Sequence, residues 1–292
     1  FSFFEAISNF ILLEDLSYEL NCDHLAFSVI VWYTDNTKTT KEVNMQKILG
    51  YLRKAIQKYD MLRDGDRICV GVSGGKDSVA LLYGLSLLRR FIGIDYDIIG
   101  LTLDPNFGGS PTDYSPVKDF CNQHDIEYRV VETHISDVVF EIRKEPNPCS
   151  LCARMRRGAL HNYAVELGCN KIALGHNYDD AVETFIMNLF TEGRIGCFSP
   201  MNYLSRKQLS VIRPLVLAPE RDIRRAANKN ALPIVKSKCP VDGHTNRQRT
   251  KEFLAEMERK DRGFKDRIFG AMCRADIDGW GGADIAITKN NK

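Results

Sequence analysis

The chain has 292 residues, of which 44% are hydrophobic and 27% charged, and its net charge is +2 at pH 7. This length and composition are typical of one large or two modest globular domains, and the near-neutral charge means that any nucleic-acid-binding surface must be local. No stretch approaches the roughly 20 apolar residues that a membrane span needs, so we expect no membrane partner. Nine cysteines with one close Cys-x-x-Cys pair do not resemble a secreted disulfide framework. They favour a reducing, cytoplasmic location with a metal or redox site.

The beginning of the chain differs in pattern from the rest. The first methionine is Met45, and residues 1–44 are interpreted either as a genuine extension or as translated upstream sequence. Acidic residues at Glu5, Glu14 and Asp15 stand where a signal peptide requires a basic start and an unbroken apolar run. We therefore do not interpret this segment as a targeting sequence, and we predict a domain boundary at residue 45.

From Met45 onwards, helical and strand patterns alternate. Helical spacing is found at about 45–56, 77–90, 117–124, 152–167 and 180–190, and short apolar runs are found at 67–72, 97–103, 126–131 and 171–174. Strands that alternate with helices predict an α/β fold with a mainly parallel sheet covered on both faces. The tail from Arg221 has helical spacing and many basic residues. We predict a main domain at 45–240 and a small C-terminal helical lobe and tail at 241–292.

Unusual residues follow three of the predicted strands. In parallel α/β sheets, ligands bind beyond the carboxyl ends of the strands, so the loops after Val72, Leu103 and Leu174 are predicted to line one site. These loops read Ser73-Gly-Gly-Lys-Asp-Ser78, Asp104-Pro-Asn106 and Gly175-His-Asn-Tyr-Asp-Asp180.

The first of these loops has the composition of a phosphate-binding loop. It is not a Walker A loop, because Val70 stands in place of the first glycine and Asp77 follows the lysine, and it also lacks the dinucleotide glycine spacing. Small residues, two hydroxyls, a lysine and a helix N-terminus together form an anion cradle. Asp77 would repel phosphates unless Mg²⁺ lay between them, which predicts a bound metal. The alternative is a simple glycine turn in which Asp77 or Ser73 caps the helix.

The hexapeptide resembles the signature of the PP-loop ATP pyrophosphatases. These enzymes cleave ATP between the α- and β-phosphates and leave AMP on a substrate oxygen. The resemblance implies that ATP is bound by Ser73, Gly74, Gly75, Lys76, Asp77 and Ser78, with further contacts from Asp104, Gly175, His176 and Asp180. It also implies catalytic roles for Lys76 and Asp77 and a Mg²⁺ site shared by Asp77, Asp179 and Asp180. Helix capping is the alternative role for Asp179 and Asp180.

Three cysteines form a second group of candidate site residues. Cys149 and Cys152 form a Cys-x-x-Cys pair at the beginning of a predicted helix, and Cys239 lies far away in sequence. Asp242 replaces the cysteine that would complete a second pair, so a tetrahedral zinc site would need His244 as its fourth ligand. Three thiolates would instead suit a [4Fe-4S] cluster with one open iron. Structural thiols and a persulfide relay through the Cys-x-x-Cys pair remain alternatives.

Taken together, the motifs resemble those of the tRNA 2-thiocytidine synthetase family, the tRNA-cytidine 2-sulfurtransferases. The resemblance runs in order from about Met45 to about Met272 through Ser73–Ser78, Pro148–Gly158, Gly175–Asp180, Ile212–Leu215, and Cys239 with Asn246–Gln248. It implies a Rossmann-like adenine nucleotide α-hydrolase (PP-loop) fold. It further implies adenylation of the C2 oxygen of cytidine 32 in the tRNA anticodon loop and replacement of that oxygen by sulfur.

The resemblance to this family also implies specific roles for the cysteines. Cys149, Cys152 and Cys239 would be catalytic residues and the ligands of a [4Fe-4S] cluster. Asp242 departs from a cysteine that is common in the family but is not one of the three expected ligands, so the departure weakens a persulfide role there more than it weakens the cluster.

Basic residues form three clusters near the presumed site. They are Arg154, Arg156 and Arg157, then Arg221, Arg224, Arg225 and Lys229, and finally Arg247, Arg249 and Lys251. Phosphate contact is their natural use, although such runs are usually solvated helix faces and acidic residues dilute the last cluster. We assign tRNA contacts to Arg154, Arg156, Arg157 and Arg213.

The resemblance also implies partners. They are tRNA, a sulfur donor such as a cysteine desulfurase, and a second copy of the chain in a homodimer. Three alternatives remain open: a tRNA uridine 2-thiolase, a PP-loop amide ligase, and a non-catalytic iron–sulfur or zinc tRNA-binding protein.

Overall fold

A computed structural model of the protein describes residues 45–144, 148–240 and 246–282. The predictions for residues 1–44, for Asp242 and for His244 lie outside the described residues. Within the described ranges, every helix is too short or too polar to cross a bilayer.

A six-stranded sheet forms the centre of the structure. Its strands are β1 (Asp66–Gly71), β2 (Tyr96–Asp104), β3 (Glu127–Glu132), β4 (Lys171–Ala173), β5 (Met201–Leu204) and β6 (Leu209–Ile212). Their order across the sheet is β3-β2-β1-β4-β6-β5, and all neighbours are parallel except β5, which runs antiparallel to β6. The predicted mainly parallel α/β fold is confirmed. Strands β5 and β6 were missed, because strands of only four residues carry little periodic signal.

Helices connect and cover these strands. They are α1 (45–58), α2 (Lys76–Leu88), α3 (Ser115–Gln123), α4 (Pro148–Glu166), α5 (Tyr178–Thr191), α6 (Glu220–Lys229), α7 (Asn246–Lys260) and α8 (Phe264–Arg274). A π-helical segment, Asp137–Arg143, lies before α4 and was not predicted.

Strand β1 shows why the sheet is covered on both faces. Ile68 and Val70 belong to the core cluster that contains the buried residues of α1 and α2. Cys69, which points to the opposite face, packs in a second cluster with Ala164 of α4. Consecutive buried residues of this kind are typical of a central parallel strand, and they place β1 in the middle of the sheet.

The strand order creates a crevice. Strand β1 lies between β2 and β4, so the chain moves away from β1 in opposite directions on its two sides. The loops after β1 and β4 therefore lie next to each other at the carboxyl edge of the sheet, where parallel α/β folds bind ligands.

The C-terminal helices pack against the crevice from one side. Leu254 of α7 is fully buried against Val182 and Ile186 of α5. Trp280, also fully buried, packs on Phe198 with a ring-centroid distance of 5.8 Å. Helices α7 and α8 lie in the predicted helical lobe, and the boundary at residue 240 stays a prediction.

Candidate active site

The loop after β1 folds back on the beginning of α2. The Ser73 amide donates to Ser78 Oγ at 3.1 Å, and Ser78 Oγ donates to the Gly75 carbonyl at 2.9 Å. Gly74 has φ of +82°, and a Cβ atom there would lie 3.0 Å from Val235 Cβ, so the position requires glycine. Gly75 is the N-cap residue, and no described side chain caps this helix. The helix-cap alternative for Ser73 and Asp77 is therefore wrong, and the helix N-terminus faces the loop.

The loop after β4 is held by a capping box. The Asp180 amide donates to Asn177 Oδ1 at 3.0 Å, and the Asn177 amide donates to Asp180 Oδ2 at 2.9 Å. The same asparagine donates from Nδ2 to Asp77 Oδ1 at 3.2 Å, which ties this loop to the first. Asp180 therefore takes part in capping the helix, as the alternative role proposed from the sequence expected. Asn177 was missed as a site residue, although an asparagine three residues before an aspartate at a helix start is a recognisable signal.

Lys76 lies at the edge of a cavity of about 290 Å³. The cavity is lined by Lys76, Asp77, Asn177, Asp179, Asp180, Glu183, Glu220, Arg247, Gln248 and Lys251. Lys76 Nζ pairs with Glu220 Oε1 at 2.8 Å and with Asp77 Oδ2 at 2.9 Å. Burial alone would lower the pKa of Lys76, but these two partners outweigh it and raise that pKa, so the loop lysine is charged.

Glu220 is a second charged centre of this cavity. Besides Lys76, it pairs with Lys251 at 2.8 Å and with Arg224 at 2.8 Å. Burial alone would raise the pKa of Glu220, but the hydrogen bonds from Lys251 and Lys76 lower it to about 2. The sequence offered no signal for this role, because the partners come from separate segments of the chain.

The carboxylates predicted to bind Mg²⁺ all line this cavity. Asp179 is largely engaged elsewhere, since it accepts from the Glu220 amide at 2.7 Å and pairs with Lys265 at 2.7 Å. In the described ranges, no group of three His, Cys, Asp or Glu side chains is close enough to hold a metal ion in this conformation. Asp77 and Asp180 nevertheless face the same cavity, and one or two carboxylates suffice for a Mg²⁺ ion that is also bound by phosphates. The residues present fit such an ion.

A smaller cavity, of about 220 Å³, lies on the other side of the phosphate loop. It is lined by Ser73, Gly75, Pro105, Phe107, Thr112, Tyr114, Arg156, Val235, Lys236, Ser237 and Lys238. The cavity thus joins the phosphate loop, the loop after β2, helix α4 and the segment that precedes Cys239.

Asp104 supports the wall of this smaller cavity. Its buried carboxylate accepts from the Thr112 amide at 2.7 Å and from the Asn106 amide at 3.0 Å. In this conformation the side chain organises the loop after β2. Its contact with the nucleotide stays a prediction.

The three candidate cysteines are free thiols on the two segments, α4 and the stretch after Val235, that contribute Arg156 and Lys238 to the smaller cavity. Cys149 is exposed in the first turn of α4, and Cys152 and Cys239 are half-buried. Burial raises the pKa of Cys152; Arg156 opposes this shift, while Cys239 and Cys149 add to it. The charges of Arg156, Cys239 and Cys149 thus act on Cys152, and Arg156 lines the cavity. In this conformation the three thiols of the described chain are not close enough to hold a metal ion together. Their donor type, three thiolates, is the one that suits a [4Fe-4S] cluster with one open iron.

His176 and Arg213, which were predicted to contact ATP and tRNA, are largely buried in the protein. The His176 ring packs on Phe198 with a centroid distance of 4.9 Å, and burial lowers its pKa to about 3. Its Nδ1 atom has no hydrogen-bond partner in the described part of the chain. Arg213 lies 5.1 Å above the same Phe198 ring and donates to the Ser199 carbonyl at 2.7 Å. Its guanidinium thus faces the protein, whereas Arg154 and Arg157 are exposed on α4.

Glu183 was missed altogether. It lies one turn after Asp180 on α5, with 4% of its surface exposed. Burial, and then the neighbouring Asp180 carboxylate, raise the pKa of Glu183 to about 7. A glutamate in an amphipathic helix carries no local signal of burial.

Comparison with known proteins agrees with this geometry. A family model described as a PP-loop domain matches residues 38–257. A tRNA-cytidine(32) 2-sulfurtransferase of Geobacter metallireducens is 37% identical over 234 residues, which cover 79% of this chain and 90% of that protein. The chain belongs to the PP-loop family of the tRNA-cytidine(32) 2-sulfurtransferases. A second member of this family, from Pseudomonas putida, is 37% identical over 239 residues, 80% of this chain and 86% of that one.

A solved structure extends the likeness to tertiary structure. The U34-tRNA thiolase NcsA from Methanococcus maripaludis, solved with its [4Fe-4S] cluster, matches with a TM-score of 0.67 and 27% identity. The match covers 80% of this chain and 79% of the thiolase chain. The predicted membership of the tRNA-cytidine 2-sulfurtransferase family is therefore confirmed, together with the PP-loop fold.

Proposed function

We propose that the chain is an ATP-dependent tRNA sulfurtransferase that thiolates a cytidine at position 32 of the anticodon loop. The observation that carries the proposal is the contact between the phosphate loop and the segment leading to the third cysteine. The Val235 amide donates to the Gly74 carbonyl at 2.9 Å, and Cys239 follows four residues later. This contact supports the proposal that the phosphate loop and the three cysteines act in one site.

In the first step, ATP lies against Ser73–Ser78 with its phosphates towards Lys76. The C2 oxygen of the cytidine attacks the α-phosphorus, a bond forms between that oxygen and phosphorus, and the bond to the β-phosphate breaks. Lys76 neutralises the pyrophosphate that leaves. Mg²⁺ held by Asp77 and Asp180, with Asp179 beside them, would offset the remaining phosphate charge.

In the second step, sulfur replaces the activated oxygen. Sulfide attacks C2 of the base, the bond between C2 and oxygen breaks, and AMP leaves with the oxygen. A [4Fe-4S] cluster bound by Cys149, Cys152 and Cys239 would supply an open iron at which sulfide binds. The protein contributes position and charge, because Arg156 lines the smaller cavity together with Ser73 and Gly75 of the phosphate loop.

Exposed arginines at the same edge of the protein could contact the phosphates of the tRNA backbone. Arg154 and Arg157 follow the Cys-x-x-Cys pair on α4 and are exposed, so we propose that they contact phosphates. Arg156 acts closer to the target base. Arg213 acts indirectly, through Phe198, on which the ring of His176 packs.

The finer assignments of partners belong to this proposal. They are a sulfur donor such as a cysteine desulfurase, a homodimer, and action on cytoplasmic tRNA. The names of the relatives support tRNA as the substrate.

The decisive experiment is mass spectrometry of tRNA nucleosides after reaction with the reconstituted protein, ATP, Mg²⁺ and sulfide. We expect 2-thiocytidine and equimolar AMP with pyrophosphate. Lys76→Ala should abolish both products, and Lys260→Ala, an exposed lysine of α7, should not. Formation of 2-thiouridine instead would show that the acceptor base is uridine, as in the thiolase to which this structure is similar. Release of inorganic phosphate instead of pyrophosphate would contradict adenylation.

A further inference from the structure

Two cations of α7 point into the larger cavity. Arg247 and Lys251 lie one helical turn apart, so their side chains share a face of the helix. Arg247 Nη1 lies 3.0 Å from Asp180 Oδ1, and Lys251 Nζ lies 2.8 Å from Glu220 Oε2. Arg249 and Lys260, on the same helix, are exposed. The basic cluster of this helix is thus divided between the cavity and the solvent.

We propose that Arg247 and Lys251 bind the β- and γ-phosphates of ATP and the pyrophosphate product, and that with Lys76 they form a three-cation clamp. Glu220 occupies the place of phosphate oxygens in the clamp until the nucleotide arrives. The inference deepens the proposed function and rests on it, because it assigns the leaving-group side of the same reaction.

The ion pairs of Glu220 carry the argument. Lys76 lies 2.8 Å from one carboxylate oxygen of Glu220, and Lys251 lies 2.8 Å from the other. One anionic group therefore holds the phosphate-loop lysine and the α7 lysine together. A phosphate group offers the same kind of charged oxygens to the same two ammonium groups, and it can replace the carboxylate.

The charges around the cavity point to a phosphate that enters with a divalent cation. The lining contains three cations, Lys76, Arg247 and Lys251, and five carboxylates, Asp77, Asp179, Asp180, Glu183 and Glu220. The formal charge is therefore −2 with all five carboxylates ionised and −1 with Glu183 protonated, so it is negative in both states. A bare triphosphate would be repelled by this balance, whereas its Mg²⁺ complex would bring the missing positive charge.

Glu183 is a further carboxylate of the clamp. The residue is 4% exposed, and its side chain lines the same cavity. Lys251 and Arg247 are the cations whose charges act on it. The two cations proposed for the clamp therefore act on Glu183 as well as on Asp180 and Glu220.

The position of the clamp separates it from the tRNA surface. A contact with tRNA phosphates would require Arg247 and Lys251 to face the solvent, as Arg249 does. Instead, both engage carboxylates of the cavity that Lys76 lines, whereas Lys238, next to Cys239, lines the smaller cavity. The adenylated base and the pyrophosphate would therefore leave from different sides of the phosphate loop.

The test compares Lys251→Ala and Arg247→Ala with Lys260→Ala in the full chain. We expect the inhibition constant for Mg²⁺-pyrophosphate and the KM for ATP to rise about tenfold or more in the first two variants, because each loses a charge-assisted hydrogen bond. The Kd for tRNA should stay unchanged. Lys251→Arg should recover most of the pyrophosphate affinity, which a merely structural role would not predict. Unchanged pyrophosphate inhibition, or a loss confined to tRNA binding, would overturn the proposal.

A direct binding measurement keeps the inference independent of folding defects and of the acceptor. In calorimetric titrations of Mg²⁺-pyrophosphate, Glu220→Gln should bind more tightly than the unmodified protein, because its competitor for the two lysines is gone; weaker binding would refute the exchange. If thionucleoside formation fails while pyrophosphate binding still depends on Lys251, the proposed function is wrong and the clamp stands. If thiolation proceeds and the clamp variants bind pyrophosphate normally, the proposed function stands and the clamp is wrong.

Discussion

The backbone of Gly175 lies directly against the backbone of Ser78: a Cβ atom on Gly175 would stand 3.0 Å from the Ser78 nitrogen and 3.1 Å from Asp77 carbonyl carbon. This approach brings the loop after β4 onto the first turn of α2. Because the contact is between main chains, a side chain cannot turn away to relieve it. Glycine at this position therefore sets the width of the crevice.

We expect Gly175→Ala to reduce the stability of the protein by about 1–3 kcal/mol and to slow pyrophosphate release, since the phosphate loop must shift. Urea unfolding and a pyrophosphate assay measure the two effects. Gly50→Ala provides the control: this glycine lies in α1 with open space around it, and the substitution should stabilise by up to about 1 kcal/mol. Equal behaviour of the two variants would contradict the interpretation.

The burial of Glu183 predicts a pH-dependent stability. Its pKa rises from 4.5 to about 7, so the folded protein binds the proton more tightly than the unfolded chain, and the ionised form is disfavoured. Stability relative to Glu183→Gln should therefore fall between pH 4.5 and 7. The variant should be the more stable protein above pH 7, by at most about 3 kcal/mol, and should differ much less near pH 5.

Thermal unfolding at pH 5 and pH 8 measures this difference. Glu166→Gln, an exposed residue of α4, serves as the control and should shift the midpoint similarly at both values. A Glu183→Gln effect that is the same at both pH values would show that the carboxylate is not held in its neutral form.

The cysteine neighbourhood predicts which thiols hold the cluster. Protein purified without oxygen should be brown, and alanine at Cys149, Cys152 or Cys239 should remove the visible absorbance and most of the bound iron. Cys273→Ala, a half-buried thiol of α8, should keep both. A colourless protein with stoichiometric zinc would rule out the iron–sulfur assignment.

Salt dependence separates the arginines of α4 from one another. Arg154→Ala and Arg157→Ala should each weaken tRNA binding and reduce the slope of log K against log salt by about 0.7–0.9, because each removes a phosphate contact. Arg63→Ala, exposed before β1 at the opposite edge of the sheet, should leave the slope unchanged. Filter binding over a range of salt concentrations provides the measurement. Unaltered slopes in both α4 variants would place the tRNA elsewhere.

Much of the fold was predictable because its signals are local. The strands β1 to β4 were located within one residue at each end, since buried parallel strands appear as short apolar runs between helices. The Ser73–Ser78 loop was recognisable because the glycines that it needs stand next to each other. The β5–β6 edge and the π-helical segment were missed, because neither has a distinctive period.

The sequence by itself determined the alternation of strands and helices, the phosphate loop and the family, all of which depend on neighbouring residues. Only the tertiary structure decided which side chains of these segments interact and which of them are buried. Glu220 pairs with both Lys76 and Lys251, the charge of Cys239 acts on Cys152, and Glu183 becomes buried, each because the fold brings distant segments together. Desolvation and Coulomb energy depend on distance in space rather than along the chain, so the pKa values and ion pairs of the site exist only in the folded protein.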